Sequence, residues 1–193
     1  MGFEANALAL ATRFATADEA ARIMPQLKRT GHGKFQQLAA RGKFEYGDVH
    51  GGLKALEDHN WYKLLEPWPD GPDWPGVRLT SECMSFHRKG WGDEAHPDTC
   101  VASLYTNYIL GITPTKPGYA EFSFSIPDTA RLEWAQGRIP TPHGEIFASW
   151  RKDGDGYAVR LDVPEGTKCR LVPPGGQATL LGAGRFESRI GRR

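Results

Sequence analysis

The sequence is poor in cysteine and lacks the short motifs that usually bind metal ions. Its three cysteines, Cys83, Cys100 and Cys169, are an odd number without the spacing of a disulfide framework. We therefore expect reduced thiols rather than covalent cross-links. CxxC pairs, HExxH motifs and clusters of carboxylates are absent, so the sequence predicts neither a metal site nor a bound cofactor.

Charge and hydropathy exclude two further classes of partner. The 24 basic and 23 acidic residues nearly balance and form no basic run, so nothing indicates a nucleic acid or an anionic membrane surface. No apolar run approaches the roughly 20 residues that a membrane-spanning helix needs. The N-terminal segment contains Glu4, Arg13 and Asp18 and lacks a basic leader, which favours a helix over a signal peptide. Taken as it stands, the chain is predicted to be cytoplasmic.

The first third of the sequence has the periodicity of consecutive helices. One apolar face repeats at helical spacing through Phe3, Ala7, Leu10 and Phe14. The segment from Thr16 to Glu19 has the pattern of a capping box, which opens a second helix. Helical spacing returns over residues 35–47 and 49–56. Successive helices joined by short turns are typical of helical hairpins.

After Pro117 the periodicity becomes alternating, which predicts strands. The first such run places apolar side chains at Ala120, Phe122, Phe124 and Ile126. A second pair of alternating runs flanks the turn at 153–156, which reads Asp-Gly-Asp-Gly and strongly indicates a hairpin. Several short strands at this spacing predict an antiparallel β-sandwich. The predicted organisation is α+β, with helices in residues 1–113, the sandwich in 114–180 and a disordered, Gly-rich tail in 181–193.

Residues 77–118 join reactive side chains to a helix that would hold them in place. The loop carries a carboxylate, Glu82, together with Trp91 and His96. The helix after it has one apolar stripe and ends at Gly111, the stripe being Val101, Leu104, Tyr105, Tyr108 and Ile109. A carboxylate in a partly desolvated, aromatic-rich loop has the raised proton affinity that a general base requires. Each residue also has an interpretation without a function. Glu82 could be a surface residue, His96 a helix cap and Trp91 part of the core.

The motifs occur in a definite order. Thr80-Ser81-Glu82 is followed by a Gly-Trp pair, an isolated histidine and a helix that ends L-G-I-x-P-x-x-P-G. Further on, residues 137–150 read GRIPTPHGEIFASW. The first group resembles the closing segment of the catalytic barrel of bacterial α-L-rhamnosidases, glycoside hydrolase family 78, and the second resembles a hairpin of the sandwich that follows it. The resemblance implies a partial (α/α) six-hairpin barrel followed by an antiparallel β-sandwich.

The resemblance also implies an activity, the hydrolysis of α-L-rhamnosides with inversion. It places the general base at Glu82 and a sugar-contacting histidine at His96, while Trp91 would offer an apolar platform to the deoxysugar. Inverting glycosidases also need a general acid, about 6.5–9.5 Å from the base. The family's acidic motif, of the Asp-x-Pro-x-Arg-x-Glu kind, does not occur in this sequence. We therefore expect the chain alone to be weakly active or inactive.

Three functions follow from these observations. The chain is the base-bearing part of a glycosidase, a non-catalytic module that binds rhamnosides through its sandwich and the Trp91/His96 loop, or a structural buttress that binds no sugar. A second carboxylic acid facing Glu82 would separate the first function from the second. Because an incomplete barrel exposes apolar helix faces, we also expect self-association or a missing N-terminal barrel segment as partner.

Overall fold

The structure is a computed structural model that describes residues 2–27, 33–58 and 101–191. The chain divides into two compact units, residues 1–101 and residues 102–193. The described part of the first unit is helical, and the second unit is built mainly of strands in two sheets. The predicted α+β class and the β-sandwich are confirmed, whereas the partial six-hairpin barrel stays a prediction.

The described helices of the first unit follow the predicted order. They are α1, Phe3–Ala11; α2, Ala17–Ile23; α3, Gly33–Glu45; and α4, Val49–Asp58. The capping box is present, since the Glu19 backbone N–H donates to the Thr16 hydroxyl (3.3 Å) and the Thr16 N–H donates to the Glu19 carboxylate (2.8 Å). Helix α1 ends before Phe14, because Arg13 adopts a left-handed backbone conformation, and the predicted fourth residue of its apolar face is 86% exposed.

Helices α1 and α3 approach each other closely at a glycine. A Cβ atom on Gly42 of α3 would lie 2.5 Å from the Cβ of Leu10 on α1, so only glycine allows this separation. Leu10 itself is fully buried, as are Ala7 and Ala40. The helical pattern of the sequence therefore corresponds to a packed set of helices within this unit.

The second unit contains a short helix and eight described strands. Helix α5 spans Val101–Leu104 and continues as a π-helical turn over Tyr105–Leu110. The strands are β1, Ile112–Pro114; β2, Glu121–Ser125; β3, Trp134–Thr141; β4, Gly144–Asp153; β5, Gly156–Val163; β6, Lys168–Val172; β7, Thr179–Leu181; and β8, Gly184–Gly191. They form two four-stranded sheets with the orders β1-β2-β6-β7 and β3-β4-β5-β8.

One strand pair departs from the predicted antiparallel arrangement. Strands β2 and β6 run parallel, with Phe122 opposite Cys169, whereas the other described pairs are antiparallel. A parallel pair needs a long crossover connection, because the chain must return to the same end of the sheet. Here β3, β4 and β5 provide that crossover by forming part of the other sheet. The description as wholly antiparallel was therefore wrong for this pair.

The core of the second unit lies between the two sheets. The apolar side chains predicted to face inward from β2 and from the β4–β5 hairpin are buried, including Phe122, Phe124, Ile146, Trp150 and Leu161. The Trp150 and Tyr157 rings meet edge to face, with centroids 6.0 Å apart. The period-2 pattern of the sequence thus specified which face of each of these strands is covered.

The helix before the sandwich is fastened to this core. Gly111 caps the π-helical turn at φ 90°, and its carbonyl accepts a hydrogen bond from the Ser125 N–H at 2.8 Å. The Trp150 indole N–H donates to the Ile109 carbonyl at 3.0 Å. The predicted boundary after residue 113 was too late, because this helical segment packs with the sandwich and the second unit begins at residue 102.

The apolar stripe predicted for this helix is only partly correct. Leu104 is buried, but Tyr105 is 43% exposed and Leu110 takes a place in the core. A π-helical turn holds more residues per turn than an α-helix, so side chains after Leu104 no longer follow the 3.6-residue spacing. The end of the stripe is therefore shifted towards Leu110.

The tail predicted to be disordered is part of both sheets. Strand β7 pairs with β6, and β8 pairs with β5 over its whole length, from Gly184 opposite Val163 to Gly191 opposite Gly156. Phe186 and Ile190 of β8 pack against the core. Glycines and outward-facing arginines concealed this strand in the sequence, since charged side chains are a common protection of edge strands.

We predict that Gly111→Ala destabilises the sandwich by about 2–4 kcal/mol. A Cβ at this position would have an unfavourable positive φ and would lie 2.0 Å from the Ser125 carbonyl oxygen. Urea unfolding followed by circular dichroism measures the change. The control is Gly182→Ala, where no atom lies within 4 Å of the added Cβ. Equal stability of the two variants would contradict the junction described here.

We also predict that deleting residues 182–193 destabilises the sandwich by roughly 3 kcal/mol or more, because Phe186 and Ile190 no longer cover the core. The deletion also removes all eight residue pairs of the β5–β8 ladder. Thermal unfolding of the shortened chain tests this, with removal of residues 192–193 alone as the control. A disordered tail would leave both transitions unchanged.

Candidate functional site

The three residues singled out from the sequence lie outside the described residues. Glu82, Trp91 and His96 all fall within the segment 59–100, so their roles stay predictions. The described chain resumes at Val101, at the start of the helix that follows them. The surfaces that the structure describes are therefore those of the helices in the first unit and those of the sandwich.

The Thr-Pro-x-Gly motif forms the turn between β3 and β4. The Thr141 hydroxyl donates to the Gly144 carbonyl at 2.6 Å and accepts the His143 backbone N–H at 3.1 Å. Gly144 has φ 119°, a conformation that residues with a Cβ rarely adopt. The motif therefore encodes a tight turn, and these three residues act through backbone geometry.

The Gly-Ile-x-Pro-x-x-Pro-Gly motif, residues 111–118, contains strand β1 and the start of its connection to β2. The backbone N–H groups of Thr115 and Lys116 both donate to the Glu121 carbonyl, at 2.9 and 3.0 Å. The Lys116 ammonium lies 2.6 Å from the Glu121 carboxylate, and this hydrogen bond lowers the pKa of that carboxyl group. Gly118 and Tyr119 follow in the left-handed region, with φ 66° and 61°. This motif also serves to shape the backbone.

The two motifs meet in space although they are separated in sequence. Together they line a groove of about 490 Å³, formed by Pro114, Thr115, Lys116, Pro117, Gly118, Tyr119, Pro140 and Pro142. Tyr119 packs edge to face on Phe122, with ring centroids 6.3 Å apart, and burial raises the pKa of its phenol. The lining residues include no carboxylate. This groove is suited to packing or binding rather than to acid–base catalysis.

One carboxylate of the second sheet, Asp162 on β5, and one in the β4–β5 turn, Asp155, are paired with arginines. Arg185 lies 2.9 Å from Asp162, and Arg189 lies 2.7 Å from Asp155. The hydrogen bonds from these guanidinium groups lower the pKa of both carboxyl groups. A general acid needs a raised pKa so that it carries a proton at neutral pH. Asp155 and Asp162 are therefore unsuited to that role.

The described residues were also searched for a metal site and for a membrane-spanning helix. Within them, no group of three or more His, Cys, Asp or Glu side chains is placed to hold a metal ion. None of the helices in the described ranges is long and apolar enough to cross a membrane.

Comparison with known proteins connects this architecture to a family. A family model for the bacterial alpha-L-rhamnosidase C-terminal domain matches residues 111–185. The resemblance to the C-terminal portion of bacterial α-L-rhamnosidases is confirmed. The matched range begins at the capping residue Gly111, contains both turn motifs and ends within β8. Both turn motifs described above thus lie within the range that is similar to this C-terminal domain.

Individual α-L-rhamnosidases extend the comparison. The enzyme of Alteromonas sp. (strain LOR) is 41% identical over 74 residues, which are 38% of this chain and 8% of that protein. The solved structure from Aspergillus terreus covers 97% of this chain and 24% of its own, with a TM-score of 0.70 and 18% identity. That from Dictyoglumus thermophilum covers 100% of this chain and 26% of its own, with a TM-score of 0.68 and 16% identity.

A further solved structure is that of a Streptomyces avermitilis α-L-rhamnosidase complexed with L-rhamnose. It covers 98% of this chain and 21% of its own, with a TM-score of 0.57 and 15% identity. At such identities the structural likeness establishes the fold. The chain spans about a quarter or less of the length of these relatives. The similarity therefore concerns a part of those proteins, which for residues 111–185 is the C-terminal domain.

The buried thiol in the sandwich gives a prediction about reactivity. Cys169 is fully buried, and burial raises the pKa of its thiol from 9.0 to about 12. Because the thiolate is the reactive form, its population at pH 8 is roughly a thousandfold smaller than for an ordinary thiol. We expect iodoacetamide to modify Cys169 only after unfolding, as measured by peptide mass spectrometry with and without urea. Rapid modification of the native chain at this residue would contradict the described core.

The same raised pKa affects stability at high pH. Between pH 9 and about 12 the unfolded chain loses the Cys169 proton while the folded chain retains it. The contribution of this residue to the free energy of unfolding is therefore fully present below pH 9 and falls as the pH rises towards 12. A Cys169→Ala variant, compared with the parent chain across this range, isolates the effect.

Proposed function

We propose that the chain supplies the general-base side of the active site of an inverting α-L-rhamnosidase, which would hydrolyse terminal α-L-rhamnosides. One observation carries the proposal: the matched C-terminal domain begins at Gly111, directly after the helix that follows the loop with Glu82 and His96. This is the order expected where a catalytic barrel ends and its sandwich begins. The helices of the first unit would then be the last hairpins of an (α/α) six-hairpin barrel.

In this proposal Glu82 accepts a proton from the water molecule that attacks the anomeric carbon. A separate general acid protonates the glycosidic oxygen on the opposite face, which leads to inversion. His96 hydrogen-bonds a sugar hydroxyl, and Trp91 packs against the apolar side of the ring, which in rhamnose includes a methyl group. The Streptomyces avermitilis relative with bound L-rhamnose supports this choice of sugar.

The general acid is none of the residues named so far, and we expect another protein segment to supply it. The sequence contains no acidic motif of the family type, and Asp155 and Asp162 have lowered pKa values. Loss of one member of an acid–base pair costs about 10²–10⁴-fold in rate. The chain alone is therefore weakly active or inactive, although it retains part of the sugar-binding loop.

The proposed barrel position also accounts for exposed apolar groups on the first unit. Leu8 of α1 is 50% exposed, and Phe14, just after that helix, is 86% exposed. Large apolar side chains at such positions favour contacts with further protein surface. Additional barrel helices would cover them, and a second copy of the chain is the alternative occupant.

The direct test is an assay with an aryl α-L-rhamnoside, using the purified chain and its Glu82→Gln variant. We expect turnover at least about 10²-fold below that of ordinary enzymes, which turn over at about 10 per second. Any residual turnover should disappear in Glu82→Gln. The matched control is Glu165→Gln, which changes an exposed glutamate in the turn between β5 and β6 and should have no effect.

Binding of L-rhamnose is measured in parallel by calorimetry. Binding that is weakened by Trp91→Ala and His96→Ala, without turnover, agrees with the proposed half-site and also describes a non-catalytic rhamnoside-binding module. Addition of a separately expressed N-terminal barrel segment of a related enzyme distinguishes these two, since only a half-site would gain Glu82-dependent activity. Turnover by the chain at an ordinary enzyme rate would contradict the claim that the general acid is missing. Turnover that survives Glu82→Gln would contradict the assignment of Glu82 as the general base.

A further inference from the structure

The outer face of the sheet β3-β4-β5-β8 carries a groove of about 420 Å³. Two rungs of outward-facing side chains, one from each strand, cross the sheet and line it. The first rung is Trp134, Arg151, Ala158 and Arg189. The second rung is Gln136, Ser149, Arg160 and Glu187. The groove is therefore a product of strand register rather than of any continuous segment.

Small residues at the centre of the sheet create the depth of the groove. Ala158 in the first rung and Ser149 in the second form its floor, with larger side chains on either side. Trp134, on the edge strand β3, forms one wall and is 51% exposed. An exposed indole beside a polar trough is a feature that a packed sheet face does not require, because the core of this unit lies on the other side of the sheet.

The cation beside this indole has no acidic partner in the described part of the chain. The Arg151 guanidinium lies over the Trp134 ring, 5.7 Å from its centroid, and no carboxylate among the described residues forms an ion pair with it. Stacking on an aromatic ring orients the planar guanidinium while its N–H donors remain available. Trp134 and Arg151 thus form a preassembled pair.

The other two arginines of the groove have acidic ion-pair partners. Arg160 forms ion pairs with Asp162 and Glu187 and lies over the Phe147 ring. Arg189 forms ion pairs with Asp153 and Asp155. The contrast with Arg151 indicates that this residue, rather than the general positive charge of the face, is directed to a ligand.

We propose that this groove binds an oligosaccharide through a uronate unit, a sugar that carries a carboxylate. The sugar ring contacts the part of the Trp134 indole that Arg151 leaves exposed, and its carboxylate receives a bidentate hydrogen bond from the adjacent Arg151 guanidinium. The amide of Gln136 and the hydroxyl of Ser149, whose side chains form no hydrogen bond within the described residues, bind sugar hydroxyls. The inference rests on the sandwich alone and does not depend on the proposal for Glu82.

The test is calorimetry of the full chain with a galacturonate trimer and with a neutral galactose trimer of equal length. We expect the acidic trimer to bind at least about tenfold more tightly, and its affinity to fall as salt is raised. Trp134→Ala and Arg151→Gln should each weaken its binding by about tenfold or more, which corresponds to about 1.4 kcal/mol. Ala158→Leu, which fills the floor without removing a donor, should weaken it similarly.

Two controls separate the groove from general effects. Arg170→Gln removes an exposed arginine from the other sheet, and Phe14→Ala removes an exposed aromatic from the helical unit. Both should leave binding unchanged, and thermal unfolding should show that all variants remain folded. Absence of binding to the acidic trimer, equal binding of the neutral trimer, insensitivity to the three groove variants, or an equal loss in the controls would each overturn the proposal.

Discussion

The structure of the sandwich depends on hydrogen bonds that join the end of the helix before β1 to the core. The Trp150 indole N–H donates to the Ile109 carbonyl, and Gly111 turns the chain sharply beside Ser125. A buried indole needs an acceptor for its N–H group, and a helix end needs donors for its last carbonyls. One contact satisfies both requirements. The segment that contains Glu82 precedes this helix in the sequence.

The motifs that are similar to those of rhamnosidases determine the conformation of the backbone. Thr141 and Gly144 close a turn through a hydroxyl and a positive φ, and Gly111 is required because a Cβ would collide with a carbonyl. Such residues are readable in a sequence because few alternatives satisfy the same geometry. They identify the architecture and carry no chemistry of their own. The similarity to α-L-rhamnosidases is for that reason stronger evidence for the fold than for the catalytic residues.

The parts of the fold that were predictable from sequence are those set by local rules. The capping box at Thr16, the alternation around Phe122 and the Asp-Gly hairpin after β4 each depend on neighbouring residues only. The predictions failed where distant strands decide the outcome. The tail becomes β8 because β5 offers an edge, and β2 runs parallel to β6 because three strands intervene. The groove at Trp134 was missed for the same reason, since its rungs come from four strands. The candidate catalytic residues lie outside the described ranges, so their sequence predictions remain untested.

The paired carboxylates of the sandwich are unsuited to proton transfer. Arg185 and Arg189 lower the pKa of Asp162 and Asp155, and Lys116 does the same for Glu121. Carboxylates held in this way remain ionised at neutral pH and cannot deliver a proton to a leaving oxygen. A proton donor for the proposed hydrolysis must therefore come from a less polar environment than the charged faces of the sandwich. A carboxylic acid buried among apolar helix faces, away from arginine and lysine, provides the required rise in pKa.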